Sequence, residues 1–408
     1  MKTKSFRIIL SCMMVVVLLV IAACGSSNNT NTEPEAAAAN TAEAPQANAE
    51  NTAGSEPAAT AVDPDAELAK MKGQVLSMGP YGEEPIPISV LEVTDEDIAK
   101  LKEMNVTAAL SLHYGGNDWS NAQVKGIQDE AARLGIEVIA VTDANFKPDK
   151  QTADIETIMA KKPDILFIVP SDPVALAPVY KKAAAAGIKI ISIGQPSKDG
   201  KPGEDYVTVV GTDDVGNGII TAHQIARELG GEGKIGIIFH QADFSVTRNR
   251  YEGFKKTIEE MYPNIEIVVE QGVAGPDFTG DAEKAASAFL MRHPDLDAIW
   301  GPWDVPAEGI IVAARNAGRD DLVIATMDLG KNVAIDMAKG GMIKGIGATL
   351  VYDLGIAEVR AGALSMLGKE VPVFVQAHGL AVDKSNVLEA WTQVYGTEPP
   401  QELVNAAK

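Results

Sequence analysis

Residues 106–141 read VTAALSLHYGGNDWSNAQVKGIQDEAARLGIEVIAV, and they contain one complete unit of a repeating architecture. Val106–Leu112 is a short, β-prone apolar run. Asn121–Leu134 is an amphipathic stretch of helical length, and Gly135 follows it where a left-handed helix cap favours glycine. Glu137–Val141 is a second short run. A strand, a helix and a strand in this space imply two parallel neighbours in one sheet.

The pattern continues outward. Further candidate strands are Ile165–Val169, Lys189–Ile193, Val207–Val210, Lys234–Phe239, Ile265–Val269, Ala298–Trp300, Leu322–Thr326 and Gly345–Ala348. Helical stretches lie between most of them, including Thr152–Lys161, Ala175–Ala186, Gly216–Leu229, Arg250–Met261, Asp281–Arg292 and Pro306–Ala317. The strands are almost continuously apolar, as in parallel sheets covered on both faces. The fold class read from this alternation is α/β, with doubly wound parallel sheets.

The first residues are a different material. Lys2, Lys4 and Arg7 precede an apolar run from Ile8 to Ala23. That run is shorter than the ~20 residues of a spanning helix and fits the core of a signal peptide. It ends in Ile21-Ala22-Ala23-Cys24, which resembles a bacterial lipobox; the alternative is a secretory signal with an incidental cysteine. The chain has two cysteines. Cys12 would leave with the signal, so Cys24 would have no internal partner and is the expected lipid anchor. Residues 25–66 lack aromatics, Leu, Ile, Lys and Arg, and such a segment cannot offset its chain entropy by burial. It reads as an acidic tether. The expected boundaries are 1–23 for a lipoprotein signal, 24–66 for the tether and 67–105 for an extension packed on the first lobe. Formal net charge is −21, from 35 basic and 56 acidic residues. Nucleic-acid phosphates would repel such a chain.

Catalytic and cofactor motifs do not hold up. Gly231-Glu-Gly233-Lys-Ile-Gly236 has dinucleotide-fingerprint spacing, but it follows a helix and enters a strand, the reverse of the order that mechanism needs. His113, His223, His240, His293 and His378 are not in close metal-ligand spacing, and no nucleophile elbow occurs. The expectation is no enzyme, no cofactor and no metal.

In open α/β sheets ligands sit beyond the carboxyl ends of the strands. Those ends carry His113 to Trp119, Arg248 to Phe254, Gly275 to Phe278, Gly301 to Asp304, and Asp328. Carboxylates accept from hydroxyls, guanidinium donates in a fixed fork, and aromatic faces cover the C–H faces of a sugar. Alone, an aromatic near a helix start reads more often as core, and an isolated Asp or Arg more often as solvated or paired; their joint placement points to a site.

From about Val106 onward the chain resembles the type I periplasmic sugar-binding proteins, the ribose-binding-protein-like group. Asn117-Asp118-Trp119 is similar to that family's ligand loop, and Val169-Pro170-Ser171-Asp172 to its loop after the third strand. Arg248 through Phe254 resembles an Arg-x-x-x-Glu-Gly-Phe segment whose arginine contacts sugar hydroxyls. Asp328 matches an aspartate that accepts from them, and Phe278 a second-lobe aromatic. The resemblance implies two lobes, 106–211 with 350–379 and 212–349 with 380–408, joined by a three-strand hinge. The crossings would lie near Gly211–Asp213, near Leu350–Asp353 and before Leu380. His113, Asn117, Trp119 and Gln195 would face Arg248, Phe278, Trp303 and Asp328, with Thr349 at a hinge. The family's Asp-Arg pair after the fourth strand is replaced here by Gly194-Gln195, its asparagine after the eighth by Trp303, its serine-like position by His113, and its asparagine before Pro170 by Val169. A linear polyol or a modified or furanosyl sugar is therefore a better expectation than ribose. The implied role is monomeric solute capture outside the cytoplasm for an ABC permease, with the membrane reached through the anchor. The rival is a receptor that presents its closed form to a histidine kinase or chemoreceptor.

Overall fold

A computed structural model describes residues 62–408. The signal peptide, Cys24 and most of the tether lie outside the described residues. Two parallel sheets organise the chain. The first holds β1 (Ile86–Pro87), β2 (Thr107–Leu112), β3 (Glu137–Asp143), β4 (Ile165–Ile168), β5 (Lys189–Ile193) and β6 (Thr208–Thr212). The second holds β7 (Gly233–His240), β8 (Ile265–Val273), β9 (Ala298–Trp300), β10 (Val323–Met327) and β11 (Ile343–Ala348). The chain then returns to add β12 (Phe374–Ala377) to the first sheet, and crosses again to add β13 (Leu380–Val382) to the second. Spatial order is β1-β12-β6-β5-β4-β2-β3 and β13-β11-β10-β9-β7-β8. Only β13 runs antiparallel.

The helices are α1 (Pro64–Met71), α2 (Asp95–Met104), α3 (Asp118–Leu134), α4 (Pro148–Ala160), α5 (Ala177–Ala185), α6 (Asp214–Leu229), α7 (Ser245–Met261), α8 (Phe278–Arg292), α9 (Asp304–Asn316), α10 (Lys331–Ala338), α11 (Val351–Met366), α12 (Val387–Tyr395) and α13 (Gln401–Ala406). None is long and apolar enough to cross a membrane. The fold is the expected α/β pair of lobes. Gly230 caps α6 with φ 67°, and Gly231–Gly236 turns that helix into β7, so its spacing has no helix N-terminus to offer a pyrophosphate.

Two expectations about the N-terminal region are corrected. Helix α1 begins at Pro64, inside the expected tether, because Asp63 caps it by accepting from the Asp65 N–H at 3.1 Å and Met71 is buried. The extension also spans both lobes rather than the first alone. Helix α1 packs on α6 of the second lobe, whereas β1 pairs with β12 at the edge of the first sheet. Between them the backbone N–H groups of Leu76 and Ser77 donate to the Asp213 carboxylate at 2.8 and 2.9 Å. Asp213 also caps α6 through the Gly216 N–H at 2.9 Å.

Paired helices approach closely at glycine. A Cβ on Gly218 of α6 would lie 2.2 Å from the Arg250 carbonyl oxygen of α7, and one on Gly253 would lie 2.4 Å from that of Val215. Only glycine permits this approach, and it fixes how far α7 reaches toward the cleft. In the first lobe α3 and α11 enclose Gln123 and Glu358, both fully buried. The Gln123 Nε2 donates to Glu358 Oε1, while Gln123 Oε1 and Glu358 Oε2 have no other partner. Burial raises the Glu358 carboxyl well above its ordinary 4.5. A protonated carboxyl resolves both orphans, because its O–H can donate to Gln123 Oε1. A raised folded pKa contributes stability below about 4.5 and loses it as pH rises through the folded value. Glu358→Gln is therefore expected to match the wild type at pH 4.5 and exceed it at pH 8. Urea midpoints at the two pH values check this; parallel midpoints would refute the protonated pair.

Candidate ligand-binding cleft

The carboxyl ends of both sheets face one cavity of about 100 Å³. The first lobe contributes His113, Tyr114, Asn117 and Trp119 after β2, Phe146 after β3, Val169 after β4, and Ile193 and Gly194 at the end of β5 and just beyond it. The second contributes His240, Phe244, Thr247 and Arg250 around the start of α7, with Trp303, Asp304 and Asp328 after β9 and β10. Thr212 and Thr349 lie where the chain passes between lobes.

The polar end is built around Arg250. Its Nε donates to Asp214 Oδ1 at 2.8 Å and its Nη1 to Asp328 Oδ2 at 2.8 Å. Thr349 Oγ1 donates to Asp328 Oδ1 at 3.1 Å. Asp328 sits at φ 60°, in the left-handed region that aspartate tolerates better than most residues. Burial lowers the pKa of Arg250, but Asp328 and Asp214 more than offset this and hold it raised. Burial pushes Asp214 up to about 7 despite Arg250. Asp304 is raised well above 3.8 by burial, with the nearby Asp328 and Glu308 carboxylates adding to it.

The walls are rings. Two successive left-handed residues, Asn145 at 49° and Phe146 at 54°, bring Phe146 over His113, edge to face with centroids 5.0 Å apart. Phe146 meets Phe278 of the other lobe at 5.5 Å, and His113 stacks on Phe244 at 5.8 Å. Trp303 meets Phe278 at 4.9 Å and His240 at 5.4 Å. Burial, with His240 opposite, pushes His113 down to about 3, and burial also lowers His240. Both rings are therefore neutral at pH 7. The lobes are shut on each other. Gln195 Oε1 accepts from Ser245 N at 3.1 Å and Oγ at 2.7 Å. Across the same gap Asp118 Oδ2 accepts from the Lys331 N–H at 2.7 Å, at the start of α10.

The predicted residues separate into three groups. His113, Asn117, Trp119, Trp303, Asp328 and Thr349 line the cavity. Gln195 and Phe278 stand one layer behind, Gln195 as a cross-lobe latch and Phe278 as support for Trp303 and Phe146. Arg248 is a correction: its side chain is 46% exposed and pairs with Asp243, while Arg250 is 5% exposed and faces the cavity. Two residues along a helix differ by about 200°, so the pair occupies opposite faces. The buried series Thr247, Arg250, Phe254, Thr257, Ile258 carries the helical period that identifies the inward arginine. Asn117 also has less to offer than expected. Helix α3 starts at Asp118, three residues before the predicted Asn121, and the Asn117 Oδ1 caps it by accepting from Ser120 N at 2.7 Å. Sequence reading missed Phe146, Phe244 and Thr212, which stand at strand ends without a motif.

Residues 108–370 match the family described as periplasmic binding protein domain. The chain belongs to that family. Periplasmic binding proteins of this type capture solutes outside the cytoplasm for transport. The ribose import binding protein of Bacillus subtilis (strain 168) is 31% identical over 221 residues, covering 53% of this chain and 68% of that protein. An ABC transporter solute-binding protein from Mycobacterium smegmatis, solved with bound glycerol, is 26% identical with TM-score 0.63, covering 69% of this chain and 95% of that one. One from Agrobacterium vitis with α-D-tagatopyranose has TM-score 0.65 at 24% identity, over 71% of this chain and 99% of that one, and shows the shared fold.

Proposed function

We propose that the chain is the lipid-anchored solute-binding component of an ABC importer and captures a small neutral sugar or polyol between its lobes. The carrying observation is the convergence of Asp328, Arg250 and Thr349 from one side with the His113, Trp119 and Phe146 rings from the other on a single cavity. Carboxylate and guanidinium serve hydroxyls, while rings serve C–H faces. Relatives that take ribose, and a solved neighbour that holds glycerol, support the ligand class. Ligand contacts from both lobes favour the closed form over the open one, because only closure makes both sets. A permease reads that closed surface. The protein acts as a single copy, with Cys24 acylated as its membrane anchor.

A ligand that binds only the folded state stabilises it by about 2.7 kcal/mol at a hundred times its dissociation constant. A thermal-shift screen of pentoses, hexoses, polyols and furanosyl compounds is expected to raise the melting temperature with a subset. Asp328→Asn should abolish that rise. No rise across this panel, with hits confined to amino acids or anions in a parallel panel, would overturn the ligand class. For the anchor, metabolic labelling with a palmitate analogue should mark the wild type and not Cys24→Ser.

A further inference from the structure

The size and finish of the cleft narrow the ligand further, given the solute-binding role proposed above. The cavity left by the closed lobes is about 100 Å³. A cavity of about 150 Å³ takes the six carbons of one benzene, so one of about 100 Å³ is matched by about four non-hydrogen atoms, and a six-atom polyol fills it completely. A pentopyranose carries about ten and overfills it.

The walls that set this size are held by direct contacts between the two lobes. His113 stacks on Phe244 and Phe146 abuts Phe278, each pair joining the two lobes. At Gly194 the lobes come so close that a Cβ would lie 3.0 Å from Val246 Cγ2. Gln195 spends its Oε1 on Ser245 of the other lobe. A charged pair at this position would reach for hydroxyls, but Gln195 closes the space instead.

Unfilled hydrogen-bonding capacity at the cleft is confined to a few buried atoms, Gln195 Nε2 beside the latch among them. Arg250 and Asp328 are largely satisfied by each other, Asp214 and Thr349. The buried Thr212 Oγ1 and the sealed His113 Nδ1 have no partner, and both residues line the cavity. Each is costly until something fills it. We propose that the cleft is a size sieve for a short-chain polyol, three carbons long or four with fewer hydroxyls. Its hydroxyls meet Asp328, Thr212 and His113, its carbon edge lies on Phe146 and Trp303, and pyranoses are excluded.

The test is isothermal titration of the purified protein with glycerol, 1,2-propanediol, 1,2-butanediol, ribose, galactose and allose. The best short polyol is expected to bind at least tenfold more tightly than any pyranose. Phe146→Ala, which removes one wall, should gain at least tenfold in pyranose affinity. Gln195→Gly, which removes the latch between the lobes, should move the same way and serves if Phe146→Ala fails to fold. A pyranose that binds the wild type as tightly as any short polyol overturns the sieve and leaves solute capture standing. Binding of neither class to protein shown folded by circular dichroism overturns both.

Discussion

Arg250→Ala should cost about 3–5 kcal/mol of folding stability, the usual penalty for removing one partner of a buried ion pair. The guanidinium lies between Asp214 and Asp328, all three buried, and its loss leaves two carboxyls without a counter-charge. Ligand binding should disappear with it. Arg248→Ala, two residues away, should change stability by no more than about 0.5 kcal/mol, because its exposed pairing with Asp243 is screened by solvent. The Arg250→Ala deficit should also shrink in acid. Burial pushes Asp214 up to about 7 even with the arginine beside it, and protonation of a carboxyl removes the charge the arginine was balancing. Urea denaturation of both variants at pH 7.5 and 5 measures all of this. Equal effects of the two substitutions would return Arg248 to the site.

Ligand affinity should fall as the medium is acidified through pH 6.5. His113 is held down to about 3 in the closed cleft, by burial first and by His240 second, against an ordinary 6.5 in water. A depressed histidine contributes to closure above 6.5, and the contribution is lost as pH falls toward the closed-form value. Below 6.5 each closing event must release a proton from His113, so the dissociation constant rises up to tenfold per pH unit. From pH 7.5 to 5 the expected loss is about thirtyfold. The groups facing His113 are His240, Phe244, Trp119 and Phe146, of which only His240 also titrates. It is lowered in the same direction and steepens the fall. His113→Phe keeps a ring against Phe244 and should flatten most of the slope. Calorimetry at four pH values distinguishes this from a flat profile, which would mean that His113 stays solvated on closing.

Both predictions turn on residues that sequence reading treated unequally. Asp328 was legible because it stands in the row of strand-end loops and matches an aspartate of the family that the chain resembles. Arg250 was not, since a motif that begins at Arg248 fits the same letters. Only the helical phase of α7, set by Phe254 and Ile258 against the second sheet, decides which arginine turns inward. Phe146 and Phe244 show a different limit. Nothing local marks them as ligand walls, because each becomes one only by meeting a ring from the opposite lobe.

The amino-acid sequence by itself determined the α/β class, the parallel sheets, most strand positions and the row of loops where a ligand must sit. These follow from hydrophobic period and from glycine and proline punctuation, which act over a few residues. Tertiary structure alone decided that α1 grips the second lobe while β1 edges the first, that Gln195 latches the cleft rather than lining it, and that the cleft between the lobes holds a cavity of about 100 Å³. Those features depend on groups far apart in the chain, such as Gln195 with Ser245 and Asp118 with Lys331, and their meeting is set by how two complete lobes close on each other.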